Sequence, residues 1–163
     1  MIRQARLEDL ENVTNIIVDS WKNAYKGILE DDYLDNISYK DNYNKIKTHF
    51  KNNDIFVNED DETKKIDGII AIGNRRDADK QGAEIYSLYV TMEKRGHTIG
   101  TKLVNKIKEH FKNLGYSSVY VWCIAKNDKA KEFYQKTGAK FMQKRITNIG
   151  NEKIEEVLFV YNL

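Results

Sequence analysis

Glu84–Lys102, EIYSLYVTMEKRGHTIGTK, reads as a strand, a basic glycine loop and the start of a helix. Glu84 to Val90 mixes apolar residues with tyrosine, which reads as a strand antiparallel to the one before it. Gly96 and Gly100 follow beside Lys94 and Arg95. Beyond them Ile99, Leu103, Val104, Ile107, Phe111 and Leu114 recur at spacings of three and four, which marks one face of a helix that Gly115 terminates. The first amides of such a helix have no intrahelical acceptor and carry the positive end of its dipole, so a glycine loop leading into them suits an anion. Taken alone, the two glycines read equally well as turn geometry.

Outward from this stretch the chain alternates regularly. On the amino-terminal side the sequence predicts a short strand at Ile2 to Arg6. A helix follows from near Leu7 with Val13, Ile16, Ile17, Trp21 and Ala24 on one face, and Gly27 breaks it. A short helical piece around Asp31 to Asn36 comes next, then a helix capped by Ser38 that carries Tyr43, Ile46 and Phe50. Ile55 to Val57 and the apolar run from Ile66 to Ile72 form a hairpin across NEDDETKK, and the charged loop NRRDADKQG joins the second of these strands to Glu84. On the carboxyl-terminal side come a buried strand at Ser118 to Ile124 and a helix at Asp128 to Lys136 stopped by Gly138. Two strands, Lys140 to Ile146 and Lys153 to Tyr161, close the chain around NIGNE. This order predicts an α/β fold, a mixed and mostly antiparallel central sheet flanked by helices, built as one domain over residues 1–163.

Composition excludes several classes. The 163 residues hold 27 basic and 25 acidic groups, a net charge of +2, so bulk charge argues against a nucleic-acid partner. The single cysteine, Cys123, lies in the apolar run VYVWCIA; it excludes an internal disulfide and a multi-cysteine zinc site, and reads as core. His49 and His110 sit on helices without metal-ligand neighbours, so no metal is expected. No stretch is apolar enough for a membrane span and the amino terminus lacks a signal peptide's apolar centre, which makes the cytoplasm the default setting. Two phosphate-loop types also fail. Gly100 is followed by Thr101-Lys102 rather than Lys-Ser/Thr, and the loop comes past mid-chain after an antiparallel pair, not after a first strand.

The combination of LYV, RGHTIGTKL and the later NDKAKEFYQKTGAKF resembles the GNAT superfamily of acetyl-coenzyme A dependent N-acetyltransferases, along essentially the whole chain. The family's loop pattern, Gln/Arg-x-x-Gly-x-Gly/Ala, falls on Arg95, Thr98 and Gly100, with Thr98 standing where glycine is usual. The resemblance implies acetyl-CoA as co-substrate, its pyrophosphate held by Arg95, Gly96, His97, Thr98, Ile99, Gly100 and Thr101. Main-chain groups of Leu88, Tyr89 and Val90 would line the pantetheine arm, their side chains mattering less, and His97 would face solvent. Asn127 would contact the cofactor and also reads as a helix cap. Tyr134 would donate a proton to the departing thiolate, against the alternative of a core aromatic beside Phe133. Glu84 would be the general base, against the alternative of a solvated charge at a strand start.

Trp21 and Tyr25 would line the acceptor channel, with Glu30, Asp31, Asp32 and Asp35 at its entrance to attract a cationic amine; the same carboxylates also suit a helix start. The implied reaction is acetyl transfer to a primary amine of a small molecule or peptide. A module that binds acyl-CoA without turnover is the alternative. An exposed final strand would be the place for a homodimer contact.

Overall fold

The structure, a computed structural model, describes residues 1–52, 54–77 and 80–163, with only the backbone of residue 52. Ala78 and Asp79 of the expected charged loop lie outside the described residues. The elements in chain order are β1 (Ile2–Gln4), α1 (Leu10–Ala24), α2 (Asp31–Asp35), α3 (Tyr39–Asn52), β2 (Asp54–Glu59), β3 (Ile66–Asn74) and β4 (Ala83–Val90). They continue with α4 (Ile99–Asn113), β5 (Ser118–Ile124), α5 (Asp128–Lys136), β6 (Lys140–Ile149) and β7 (Glu152–Asn162). Among the described residues seven strands make one sheet in the order β1-β2-β3-β4-β5-β7-β6, antiparallel except where β4 meets β5. No helix among the described residues is long and apolar enough to cross a membrane.

Strand alternation divides the core into two layers. Phe56, Ile70, Ile72 and Ile85 face α4, whose Leu103, Val104 and Ile107 are fully buried. Ile55, Val57, Ile69 and Ala71 face Leu10, Val13 and Ile16 of α1 and Ile46 of α3. The run at Ile66–Ile72 is apolar apart from the buried Asp67 because β3 is covered on both faces. Each buried Leu or Ile contributes on the order of 1.5–3 kcal/mol. Gly68 sets how closely α4 approaches: a Cβ there would lie 2.8 Å from Ile99 Cγ2 and 3.2 Å from Leu103 Cδ1. That contact lodges the first turn of α4 directly on β3.

Local signals set the helix ends. Ser38 Oγ accepts from the Asp41 amide at 3.1 Å, and Asn127 Oδ1 from the Ala130 amide at 3.2 Å. The first helix does begin at Leu7, but as a single 3-10 turn before α1, tied down because Asp9 accepts from the Arg6 amide. Arg3 links this turn to the sheet, with Nη1 2.7 Å from Asp9 Oδ2 and Nη2 2.6 Å from Glu59 Oε2.

Two expectations about the carboxyl terminus need correction. The closing hairpin is longer than its turn residues suggest, since Asn148 and Ile149 still pair with Lys153 and Glu152, leaving Gly150 at φ +60° to turn the chain. The final strand β7 is also not an exposed edge. It inserts between β5 and β6, which leaves β1 and β6 as the edge strands open to another copy.

Candidate active site

A break in the sheet builds the site. The β4–β5 ladder covers only Ala83/Val119 to Ile85/Val121, while β4 continues to Val90 along β3 and β5 continues to Ile124. At the point of parting β4 carries an extra residue: Ala71 pairs with Ser87 and Ile72 with Ile85, which leaves Tyr86 bulged. A bulge bends and twists its strand, here separating β4 from β5. A cleft of about 540 Å³ opens on one side of the gap and a cavity of about 290 Å³ on the other. The two share walls at Leu88, Tyr89, Asn127, Ala130 and Tyr134.

The larger cleft collects Leu88, Tyr89, Val90, Arg95, Gly100, Asn127 and Tyr134, all expected from the sequence. Arg95 Nε donates to the Val90 carbonyl at 3.3 Å, folding the loop back on the strand end. Thr98 is the N-cap of α4 at φ +63°, ψ 0°, a left-handed conformation that a β-branched residue rarely adopts. Gly96 reaches φ +83° without strain. Lys102 N–H bonds to the Thr98 carbonyl at 2.9 Å, so the preceding amides of Ile99, Gly100 and Thr101 lie in the part of the turn that has no helical acceptor.

Gly96, His97, Thr98, Ile99 and Thr101 do not line the cleft. His97 is exposed with Nδ1 3.2 Å from the Arg95 carbonyl, while the Ile99 side chain is buried in the core, leaving only its amide for a ligand. Gly100 has a second reason to be glycine, because its Cβ would sit 3.2 Å from the Phe133 ring. Sequence reasoning did not single out Phe133, Lys26, Lys126 and Lys129, which also line this cleft. The signal was there for the last two, which flank Asn127 in KNDK.

Tyr134 stands where the two cavities meet. Its hydroxyl is held well above the ordinary phenol value by burial first, then by the neighbouring Cys123, Tyr161 and Tyr25, so it is protonated at neutral pH. Among the described residues that hydroxyl has no hydrogen-bond partner, which leaves its proton available to a ligand. Burial likewise pushes the Cys123 thiol up to about 12, in agreement with its reading as an unreactive core residue.

In the smaller cavity Trp21 of α1 and Tyr25, the residue that follows the helix, meet edge to face with centroids 4.8 Å apart. The Tyr89 side chain lines it too and is held well above the ordinary phenol value, by burial first and then by Tyr25. Two expectations change. Glu84 is no solvated strand-end charge: it is 1% exposed and accepts from the Arg76 amide at 2.9 Å, Nε at 2.9 Å and Nη2 at 2.5 Å. It lines neither cavity. Glu30, Asp31, Asp32 and Asp35 also line neither; the charged side chains around the smaller cavity are Arg76, Arg145 and Glu156.

The sequence profile of the acetyltransferase (GNAT) family matches residues 11–139, well over half of the chain. This chain belongs to the GNAT acetyltransferase family. An N-acetyltransferase of Bacillus subtilis called YuaI, itself uncharacterised, is 29% identical over 157 residues, covering 96% of this chain and 89% of its own. Among solved structures, the PaiA N-acetyltransferase of Thermoplasma acidophilum in complex with coenzyme A has a TM-score of 0.76 at 22% identity, covering 96% of both chains. YncA of Salmonella typhimurium, solved with its cofactor acetyl-CoA, has a TM-score of 0.74 at 15% identity over 99% of this chain and 92% of its own. At these identities the structural likenesses speak for the fold.

Proposed function

We propose that this GNAT enzyme transfers an acetyl group from acetyl-CoA to a primary amine by direct attack of the amine on the thioester. The observation that carries this reading is the gap between β4 and β5, which joins two cavities of different lining at a single protonated phenol, Tyr134. When bound, acetyl-CoA supplies an activated acyl thioester. The cleft fits it in shape and charge: an unpaired strand edge at Leu88–Val90 suits an extended amide-bearing arm, and the first amides of α4 with Arg95, Lys126 and Lys129 suit phosphates.

In this reading an amine enters from the side of Trp21 and Tyr25. A Leu88–Val90 amide polarises the thioester carbonyl. Tyr134 gives its proton to the leaving sulfur, a role consistent with its burial and its protonated state. Glu84 stands bound to Arg76, so the amine reacts from its neutral fraction and its proton leaves to water in the cavity. The engagement of Glu84 also favours a second reading, an acyl-CoA binding module without turnover. A thiol-release assay over polyamines, amino acids, aminoglycosides and peptides separates the two. Acetyl-CoA-dependent thiol release with at least one amine supports transfer, and tight acetyl-CoA binding with no release across the panel supports the binding module.

A further inference from the structure

The smaller cavity holds two guanidinium groups that do not reach the cofactor cleft. Arg76 lies with Cζ 4.5 Å from the Tyr86 ring centroid, and Arg145 with Cζ 3.8 Å from that of Trp122. Stacking fixes each guanidinium plane. Carboxylates then hold each from behind: Arg76 through Nε and Nη2 on Glu84, Arg145 through Nε on Glu156 at 2.7 Å and Nη1 on Asp77 at 3.1 Å. Arg76 Nη1 and Arg145 Nη2 have no protein partner among the described residues.

Exposure shows which sign of charge the cavity offers. The formal charges of this cluster nearly balance, but the side chains of Arg76 and Arg145 are 56% and 37% exposed, against 1%, 15% and 20% for Glu84, Glu156 and Asp77. The carboxylates are largely buried and engaged, whereas the two guanidinium groups of the cavity wall stay accessible to solvent. Glu156 is the one carboxylate among the described residues that line the cavity, and Arg145 already occupies it. A ligand's cationic group would find no unengaged carboxylate here; an anionic group would find two pre-oriented donors.

We propose that the acceptor is an amine bearing a carboxylate at its far end, received by Arg76 and Arg145 while the amine reaches Tyr134. This rests on the transfer reading above and names its substrate class. The span follows from the strand: Tyr86, beneath Arg76, precedes the shared wall at Leu88 and Tyr89 by two to three residues, about 7–10 Å at roughly 3.3 Å per residue. An extended ω-amino acid fits that distance better than glycine.

The test compares glycine, γ-aminobutyrate and ε-aminocaproate with their primary amides, which keep length and remove charge. Binding to the protein saturated with coenzyme A is measured by calorimetry, and acetylation by thiol release. The expected result is tighter binding of the acid than of its amide by about tenfold for the longer pairs, with the difference shrinking at glycine. Arg145→Gln and Arg76→Lys each reduce that ratio. Equal binding within every pair, preference for the amides, no binding by any pair, or a ratio unchanged in both variants overturns the proposal. The wild-type comparison stands even if a variant fails to fold. If acids bind preferentially but none is acetylated, the carboxylate site stands and the transfer reading falls. If acids and amides bind and react alike, transfer stands and the carboxylate site falls.

Discussion

Replacing Thr98 by glycine should make the protein more stable and its cofactor binding tighter. Thr98 holds φ +63° and its exposed side chain makes no capping hydrogen bond to offset the conformation. A left-handed conformation costs a non-glycine residue about 1–2 kcal/mol, and a β-branched one sits at the upper end. Glycine's greater freedom in the unfolded chain returns about 0.5–1 kcal/mol of that. The net gain is on the order of 1 kcal/mol, which for a chain of this size raises Tm by about 2–4 °C. Removing the side chain also clears the approach to the Ile99, Gly100 and Thr101 amides, and acetyl-CoA affinity should improve by a few-fold, roughly 2–10. Calorimetric unfolding of the ligand-free protein and titration with acetyl-CoA measure the two effects separately. Thr98→Ala, which keeps a Cβ at positive φ, should leave Tm close to the parent value. A Tm that falls in Thr98→Gly would refute the strain argument, and an unchanged acetyl-CoA Kd would remove this residue from the phosphate-binding turn.

Four further outcomes are expected. Tyr134→Phe should lower kcat by about 100-fold with acetyl-CoA affinity preserved, since only the proton donor is lost; normal turnover across the pH range would return Tyr134 to the core alone. Gly100→Val should lose about 1–3 kcal/mol of stability by overpacking against Phe133, and adding Phe133→Leu should recover most of it in thermal unfolding. Glu84→Gln should shift Tm while leaving the pH dependence of kcat/KM unchanged; loss of the acidic limb of that profile would restore Glu84 as the base. Arg3→Met should cost about 3 kcal/mol by stranding Asp9 and Glu59. Arg3 holds the Asp9 carboxyl below its usual value, so the parent's extra stability is full above about pH 4 and is lost as pH falls through the lowered value. Acid-unfolding curves of parent and variant should therefore converge at low pH.

What the sequence determined was governed by neighbours along the chain. The glycines at 96 and 100, the apolar stripe from Ile99 to Phe111, the Ser38 and Asn127 caps and the Trp21–Tyr25 pairing all express interactions within a few residues, which is why spacing alone located the elements and most of the larger cleft. The resemblance marked glycine as usual at position 98, but only the backbone shows the threonine in a left-handed turn.

Tertiary structure decided everything that depends on which strands meet and where they part. No local signal in EIYSLYV marks Tyr86 as a bulge or ends the β4–β5 ladder at Ile85, and no local signal seats β7 inside β6. Glu84 allowed the reading of a solvated charge because its partner Arg76 lies across a loop, and Arg76 and Arg145 carried no local signal because the rings beneath them, Tyr86 and Trp122, belong to other strands. Helix periodicity and caps are short-range and survive in the one-dimensional pattern. Strand register, the gap it opens and the charges gathered around that gap arise from long-range pairing, which becomes definite only when the whole sheet closes.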